Sequence, residues 1–181
     1  MARATVTVLA PVVFATMVAA CGDSSPAGTQ VDPASTMGSA GQPQGFGLVA
    51  ADVTAADGEV CQLCLWLAET DVQRSRGLMG VTDLGPADGM LFLYQGPSTG
   101  TYSMRDTPMP LSIAFLSGGV FVSSTDMAPC LDSPEAGCPV YGAAGPFTAA
   151  VEVPTGQLDE LGIAEGSQLE VLTTPCPDVE E

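Results

Sequence analysis

Short apolar runs, parted by Gly, Pro and Asp, recur from Leu48 to Thr173 and read as strands. Leu48–Val53 and Val60–Ala68 come first, separated by the Asp57-Gly58 turn signal. Thr70, followed three residues later by Gln73, forms a capping box that opens a short helix reaching about Met79, with Gly80 behind it. Met90–Tyr94 is a strand bounded by Gly89 and Gly96. Leu111–Leu116 and Val120–Thr125 flank Ser117-Gly118-Gly119, a strong hairpin signal. Ala149–Val153 precedes Pro154 and a second short helix ending near Gly162, and Gln168–Thr173 is the last strand. Many short strands with frequent turns predict a mainly β domain: a compact β-sandwich, jelly-roll-like, with two short helices.

The amino terminus has a different pattern. Arg3 is the one charged residue before Cys21, and Ala4 to Ala20 is apolar apart from Thr5, Thr7 and Thr16. That run is short for a membrane span and is broken by Pro11, so it reads as a secretory signal over residues 1–20. Val18-Ala19-Ala20-Cys21 resembles the bacterial lipobox, in which the Cys thiol is diacylglycerated and the new amino group acylated, palmitate-like chains supplying the anchor. Gly22 in place of Asp favours an outer-membrane destination where the cell has one. Residues 21–45, the lipidated Cys and a stretch of Gly, Ser, Pro, Ala, Thr and Gln, are too polar to repay ordering and read as a tether. A single domain over 46–177 and an acidic tail over 178–181 complete the chain. The expectation is an extracytoplasmic lipoprotein held on the bilayer through Cys21.

Charge narrows the partners. Cleavage after Ala20 removes Arg3 and takes the formal net charge from −17 to −18, leaving Arg74, Arg76 and Arg105 against 21 acidic residues. Such a chain repels phosphate backbones, so nucleic acid is not an expected partner. Histidine is absent, which removes Ser-His-Asp, Cys-His and the usual zinc-hydrolase constellations. Gly96-Pro97-Ser98-Thr99-Gly100 matches G-x-S-x-G by chance, lying in a Pro/Gly-rich loop between strand-like runs where the elbow needs a strand, a turn and a helix.

Five cysteines remain besides Cys21, and an oxidising compartment predicts disulfides. Cys130 and Cys138 bracket a turn-rich loop and are expected to pair. Cys61 and Cys64 lie three apart on a strand and so point to opposite faces. One of them is expected to bond Cys176, the other to be a buried thiol.

The blocks Arg76-Gly77-Leu78-Met79-Gly80, Gly89-Met90-Leu91-Phe92, Met104-Arg105-Asp106-Thr107 and Pro110-Leu111-Ser112-Ile113-Ala114-Phe115 resemble the domain of unknown function 192 family. Met127-Ala128-Pro129-Cys130, Cys138-Pro139-Val140-Tyr141 and Val151-Glu152-Val153-Pro154-Thr155-Gly156 continue the match in order, so that it covers roughly Val60 to Leu172. The resemblance implies a compact jelly-roll-like sandwich and no established activity. Ser103 stands where the family usually has Trp, and Ser112 where it usually has Asp.

All three arginines of the mature chain fall inside or beside these blocks. One reading has Arg76 and Arg105, with Asp106, Thr107 and Glu152, lining a cleft for a polar ligand such as a carboxylate, which the guanidinium fork binds bidentately. The other has the arginines pairing internally with Asp106, Glu152 or Asp126 and with loop carbonyls. Met79, Met90, Met104, Met109 and Met127 read as core filling, with a copper(I) site of thioethers and thiolates as the alternative. Three functions follow: a tethered, non-catalytic binding or accessory module without cofactor or metal; an envelope hydrolase or lyase using Asp/Glu and Arg; and metal handling through Met and Cys. An open cleft holding a carboxyl of raised pKa beside Arg76 or Arg105 points to the enzyme, and arginines spent on internal partners point to the module.

Overall fold

The computed structural model describes residues 41–131, 137–174 and 176; the expected signal peptide, Cys21, most of the tether and the acidic tail lie outside them. The described chain forms β1 (Gly47–Thr54), β2 (Val60–Ala68), α1 (Asp71–Arg76), β3 (Gly89–Ser98), β4 (Thr101–Ser103), β5 (Leu111–Ser117), β6 (Val120–Met127), β7 (Val140–Gly142), β8 (Phe147–Pro154) and β9 (Gln168–Val171). Seven strands close into a barrel in the order β1-β2-β3-β8-β5-β6-β9, with β9 returning to β1. β2 and β3 are parallel, joined by a crossover that carries α1. β4 and β7 form a separate two-stranded sheet, with Tyr102 opposite Tyr141.

The domain is therefore mainly β, as expected, but its strands pair as one closed barrel where two stacked sheets were expected. Periodicity tells which face of a strand is buried and leaves open whether the sheet closes. Ala51, Val53, Leu63, Leu65, Leu91, Leu116, Val151 and Val153 point to one side and form the inner core. Met90, Phe92, Leu111, Ile113, Phe115 and Ala150, on the other side of the same central strands, form an outer core with Leu78, Val81, Leu84, Met104, Met127 and Phe147. β5 is consequently buried on both faces, from Leu111 to Leu116, as its unbroken apolar run requires.

Only one of the two expected helices forms. α1 has the expected capping box: the Thr70 hydroxyl accepts from the Gln73 N–H, and the Gln73 side chain accepts from the Thr70 N–H. It ends at Arg76, short of Met79, because Gly77 takes φ 47°. The segment after Pro154 is a series of turns rather than a second helix. It is too short to offset helix nucleation, and Leu158, Leu161 and Ile163 instead anchor it to the inner core. The β5–β6 hairpin matches its signal, with Gly118 at φ 58° and Gly119 at φ 84° in a two-residue loop. Of the G-x-S-x-G stretch, expected in a loop, Gly96–Ser98 is the end of β3 and Thr99-Gly100 the turn to β4, where the Ser98 hydroxyl accepts from the Gly100 N–H.

The disulfides are Cys64–Cys176, which ties β2 to the chain beyond β9, and Cys130–Cys138. Cys64 is thus the partner of Cys176. Cys61, the other candidate, is buried and faces the inner core. At the other end of the expected tether, residues 41–45 lie against the domain: the Gly41 carbonyl accepts from the Thr82 N–H, and the Gly45 carbonyl from the Gln73 side chain.

Candidate functional site

The outer core is lidded by the β4–β7 sheet and by the end of α1, and between these covers a cleft of about 180 Å³ opens. Arg74 and Arg76 reach it from α1, Phe92 and Tyr94 from β3, Tyr102 and Ser103 from β4, and Glu152 from β8; Met79 and Thr107 complete its wall.

Aromatic packing sets the floor. Tyr102 meets Phe92 edge-on at 5.1 Å and Phe115 at 5.7 Å, and Tyr94 meets Phe147 edge-on at 5.3 Å. The two phenols share a hydrogen bond, Tyr94 Oη to Tyr102 Oη at 2.8 Å. The Tyr102 hydroxyl is pushed well above the usual phenol range, first by burial and then by that hydrogen bond and the neighbouring Tyr94 and Glu152 charges; Arg74 opposes this.

Arg74 is spent on the protein. One guanidinium nitrogen donates to the carbonyls of Glu69 at 2.5 Å and Leu93 at 2.7 Å, and the other pairs with Asp71. Its guanidinium carbon lies 4.8 Å from the Tyr94 ring centre. Arg76, two residues on, makes a single bond among the described residues, from Nη1 to the Gln44 carbonyl at 3.0 Å. Its other donors have no protein partner among the described residues, and the exposed side chain borders the cleft.

Glu152 is the one carboxyl in the wall. It sits on β8 opposite Met90 and Ile113, with its side chain on the outer-core face, and is only 6 % exposed. Burial raises its pKa to about 8, so the group is largely a neutral acid at pH 7 and can donate a hydrogen bond. Thr107, also buried, donates from Oγ1 to the Arg105 carbonyl at 3.2 Å.

Of the five residues expected to line a ligand cleft, the structure brings Arg76, Thr107 and Glu152 together. Arg105 and Asp106 are exposed and lie outside the cleft wall. Their backbone is structural: Arg105 bridges to Cys130, and Asp106, at φ 54°, receives the Gly80 N–H on its carbonyl. The expected internal pairing with Asp106, Glu152 or Asp126 is not made: the one ion pair among the described residues is Arg74–Asp71. Asp126 instead accepts from the Ser112 hydroxyl at 2.5 Å, and that hydroxyl accepts from the Gly156 N–H. Ser112 is thus a buried structural link outside the cleft, whereas Ser103 is in its wall. Arg74, Tyr94 and Tyr102 were not anticipated as site residues. The position of Arg74 on the same short helix as Arg76 was the available signal; Tyr102 lies on a three-residue strand that carries none.

The methionines fall where core filling puts them. Met90, Met104 and Met127 are buried in the outer core, Met109 packs against it, and Met79 edges the cleft. Four cysteines are spent in the two disulfides described, so their thiolates are not available to a soft metal.

Fold and site define a small closed β-barrel domain with a polar cleft on its covered outer face. The chain belongs to the family of domain of unknown function 192 (DUF192), described as "Uncharacterized ACR", whose model matches residues 53–171. Two solved structures are similar. One, described as "a putative transcription regulator" from Sinorhizobium meliloti 1021, has TM-score 0.62 and 23% identity, over 70% of this chain and 95% of that one. The other, a protein of unknown function from Novosphingobium aromaticivorans DSM 12444, has TM-score 0.58 and 30% identity, over 70% of this chain and 87% of that one. No curated protein matches.

Proposed function

We propose that this chain is an extracytoplasmic lipoprotein, anchored through acylated Cys21, whose barrel is a non-catalytic binding module for a small polar ligand. The observation that carries the binding reading is the largely unpaired guanidinium of Arg76 in the wall of the same cleft as the neutral Glu152 carboxyl and the Tyr102 and Thr107 hydroxyls. Two disulfides in the domain support export, since such bonds persist in oxidising compartments. The jelly-roll expectation is kept only as a likeness of strand length and turn frequency.

Thermal-shift screening of the full chain against envelope sugars, carboxylates and divalent cations tests the binding reading. A specific ligand raises the melting temperature by mass action, and the rise is lost in Arg76→Ala. Mass spectrometry of the membrane fraction tests the anchor: a mature terminus at Cys21 carrying acyl chains supports it, and an intact Met1 or Cys21 held in a disulfide overturns it.

The raised carboxyl of Glu152 favours a second reading, an envelope lyase or hydrolase in which this group is a general acid. The module stands first because the cleft wall supplies no second carboxyl and no nucleophile–base pair among the described residues. Multiple turnover of any ligand found, lost in Glu152→Gln while binding persists, would reverse that order.

A further inference from the structure

The geometry points to a small monocarboxylate as the ligand, its carboxylate shared between the guanidinium of Arg76 and the Glu152 carboxyl in the same cleft wall; this rests on the binding reading above. Size comes first. A cleft of about 180 Å³ corresponds to roughly six waters at ~30 Å³ each, so it admits a ligand of a few heavy atoms rather than a polymer.

Charge comes next. The polar and charged side chains that share the cleft wall with Glu152 include Tyr94 from β3, Tyr102 from β4, Arg74 and Arg76 from α1, and Thr107. Its β-sheet neighbours, Met90 and Ile113, bring no charge. The Arg74 cation is already matched by Asp71, and burial keeps Tyr102 and Glu152 neutral at pH 7. One uncompensated positive charge therefore remains, on Arg76. The cleft is a locally positive site on a chain of formal net charge −17. That balance suits a monoanion. A phosphate dianion would bring twice the charge that the site can offset.

Hydrogen bonding completes the match. A carboxylate presents two oxygens to the planar guanidinium fork, and further lone pairs to an acid O–H. The Glu152 carboxyl can supply that O–H, and the Thr107 hydroxyl, whose proton goes to the Arg105 carbonyl, can accept from a hydroxyl on the ligand's other carbon. An ionised Glu152 would repel the same ligand, so binding is coupled to a proton held on Glu152.

The test is an NMR titration of the full-length chain in mild detergent with four probes: lactate, its uncharged amide lactamide, inorganic phosphate and N-acetylglucosamine. Lactate is expected to shift the Arg76 and Thr107 amides, with lactamide and phosphate at least tenfold weaker. Between pH 6 and pH 9 lactate affinity should fall about tenfold, as a group titrating near 8 loses its proton. In Glu152→Gln, which keeps a neutral donor, affinity should be flat over that range. Equal binding of lactamide, or tighter binding of phosphate, overturns the monocarboxylate inference. N-acetylglucosamine saturating the cleft while lactate leaves it unmoved overturns it too, yet preserves the binding reading. No shift at the cleft with any probe overturns both.

Discussion

Gly89 lies so close to Glu152 that a Cβ on the glycine would stand 2.1 Å from the glutamate's carbonyl oxygen. β3 and β8 thus run side by side at the floor of the cleft with no space for a side chain at that point. Gly89→Ala is expected to force the strands apart at a cost of about 2–3 kcal/mol, the scale of an overpacked core. Urea unfolding measures it, and an unchanged midpoint would count against the close approach.

Glu152 makes stability depend on pH in a direction opposite to most carboxylates. Its pKa is raised in the folded state to about 8 by burial, against an ordinary value of 4.5. Between those values the native state binds the extra proton, so the stabilisation is fully present below about pH 4.5 and is lost as pH rises through 8. Asp88, also raised by burial despite accepting the Cys64 N–H, acts in the same sense. Unfolding free energy should therefore fall by a few kcal/mol from pH 5 to pH 9. Glu152→Gln should remove most of that slope, and an unaltered slope in the variant would place its source elsewhere.

The two helix arginines should separate stability from binding. Arg74→Ala strips the donors from two carbonyls and the stack on Tyr94, and should destabilise the fold by about 1–3 kcal/mol. Arg76→Ala loses one bond to an exposed segment and should stay within about 0.5 kcal/mol of the parent while losing the ligand. Thermal denaturation of both variants beside a ligand titration reads both halves.

The disulfides should differ in worth because their loops differ in length. Cys64–Cys176 closes a separation of 112 residues and Cys130–Cys138 one of 8. On the chain-entropy account the first contributes about 4–5 kcal/mol and the second about 2–3. Paired Cys→Ser variants at each bond, unfolded in urea, should show that order.

Much of the barrel was legible in the chain. The run Val60–Ala68, bounded by the Asp57-Gly58 turn and the Thr70 cap, is β2 to the residue. Thr70 with Gln73 marked the start of α1, and the Gly118-Gly119 pair fixed the hairpin. β4 and β7 were not legible, since three polar-flanked residues carry no periodicity. Closure of the sheet depends on β9 returning to β1, a long-range pairing that no local pattern records. The site was half legible for a related reason. Arg76 stood out as a rare positive charge and, like Thr107 and Glu152, lies in a matched block, whereas Arg74 lies just outside one. Only the fold shows which of the two is consumed by the Glu69 and Leu93 carbonyls.

The protonated state of Glu152 underlies both the pH-dependent stability and the ligand chemistry, and ¹³C NMR titration of the glutamate side-chain carboxyls reads it directly. One carboxyl, assigned through Glu152→Gln, is predicted to titrate with a midpoint of about 8. A midpoint for Glu152 in the ordinary carboxylate range would contradict the account.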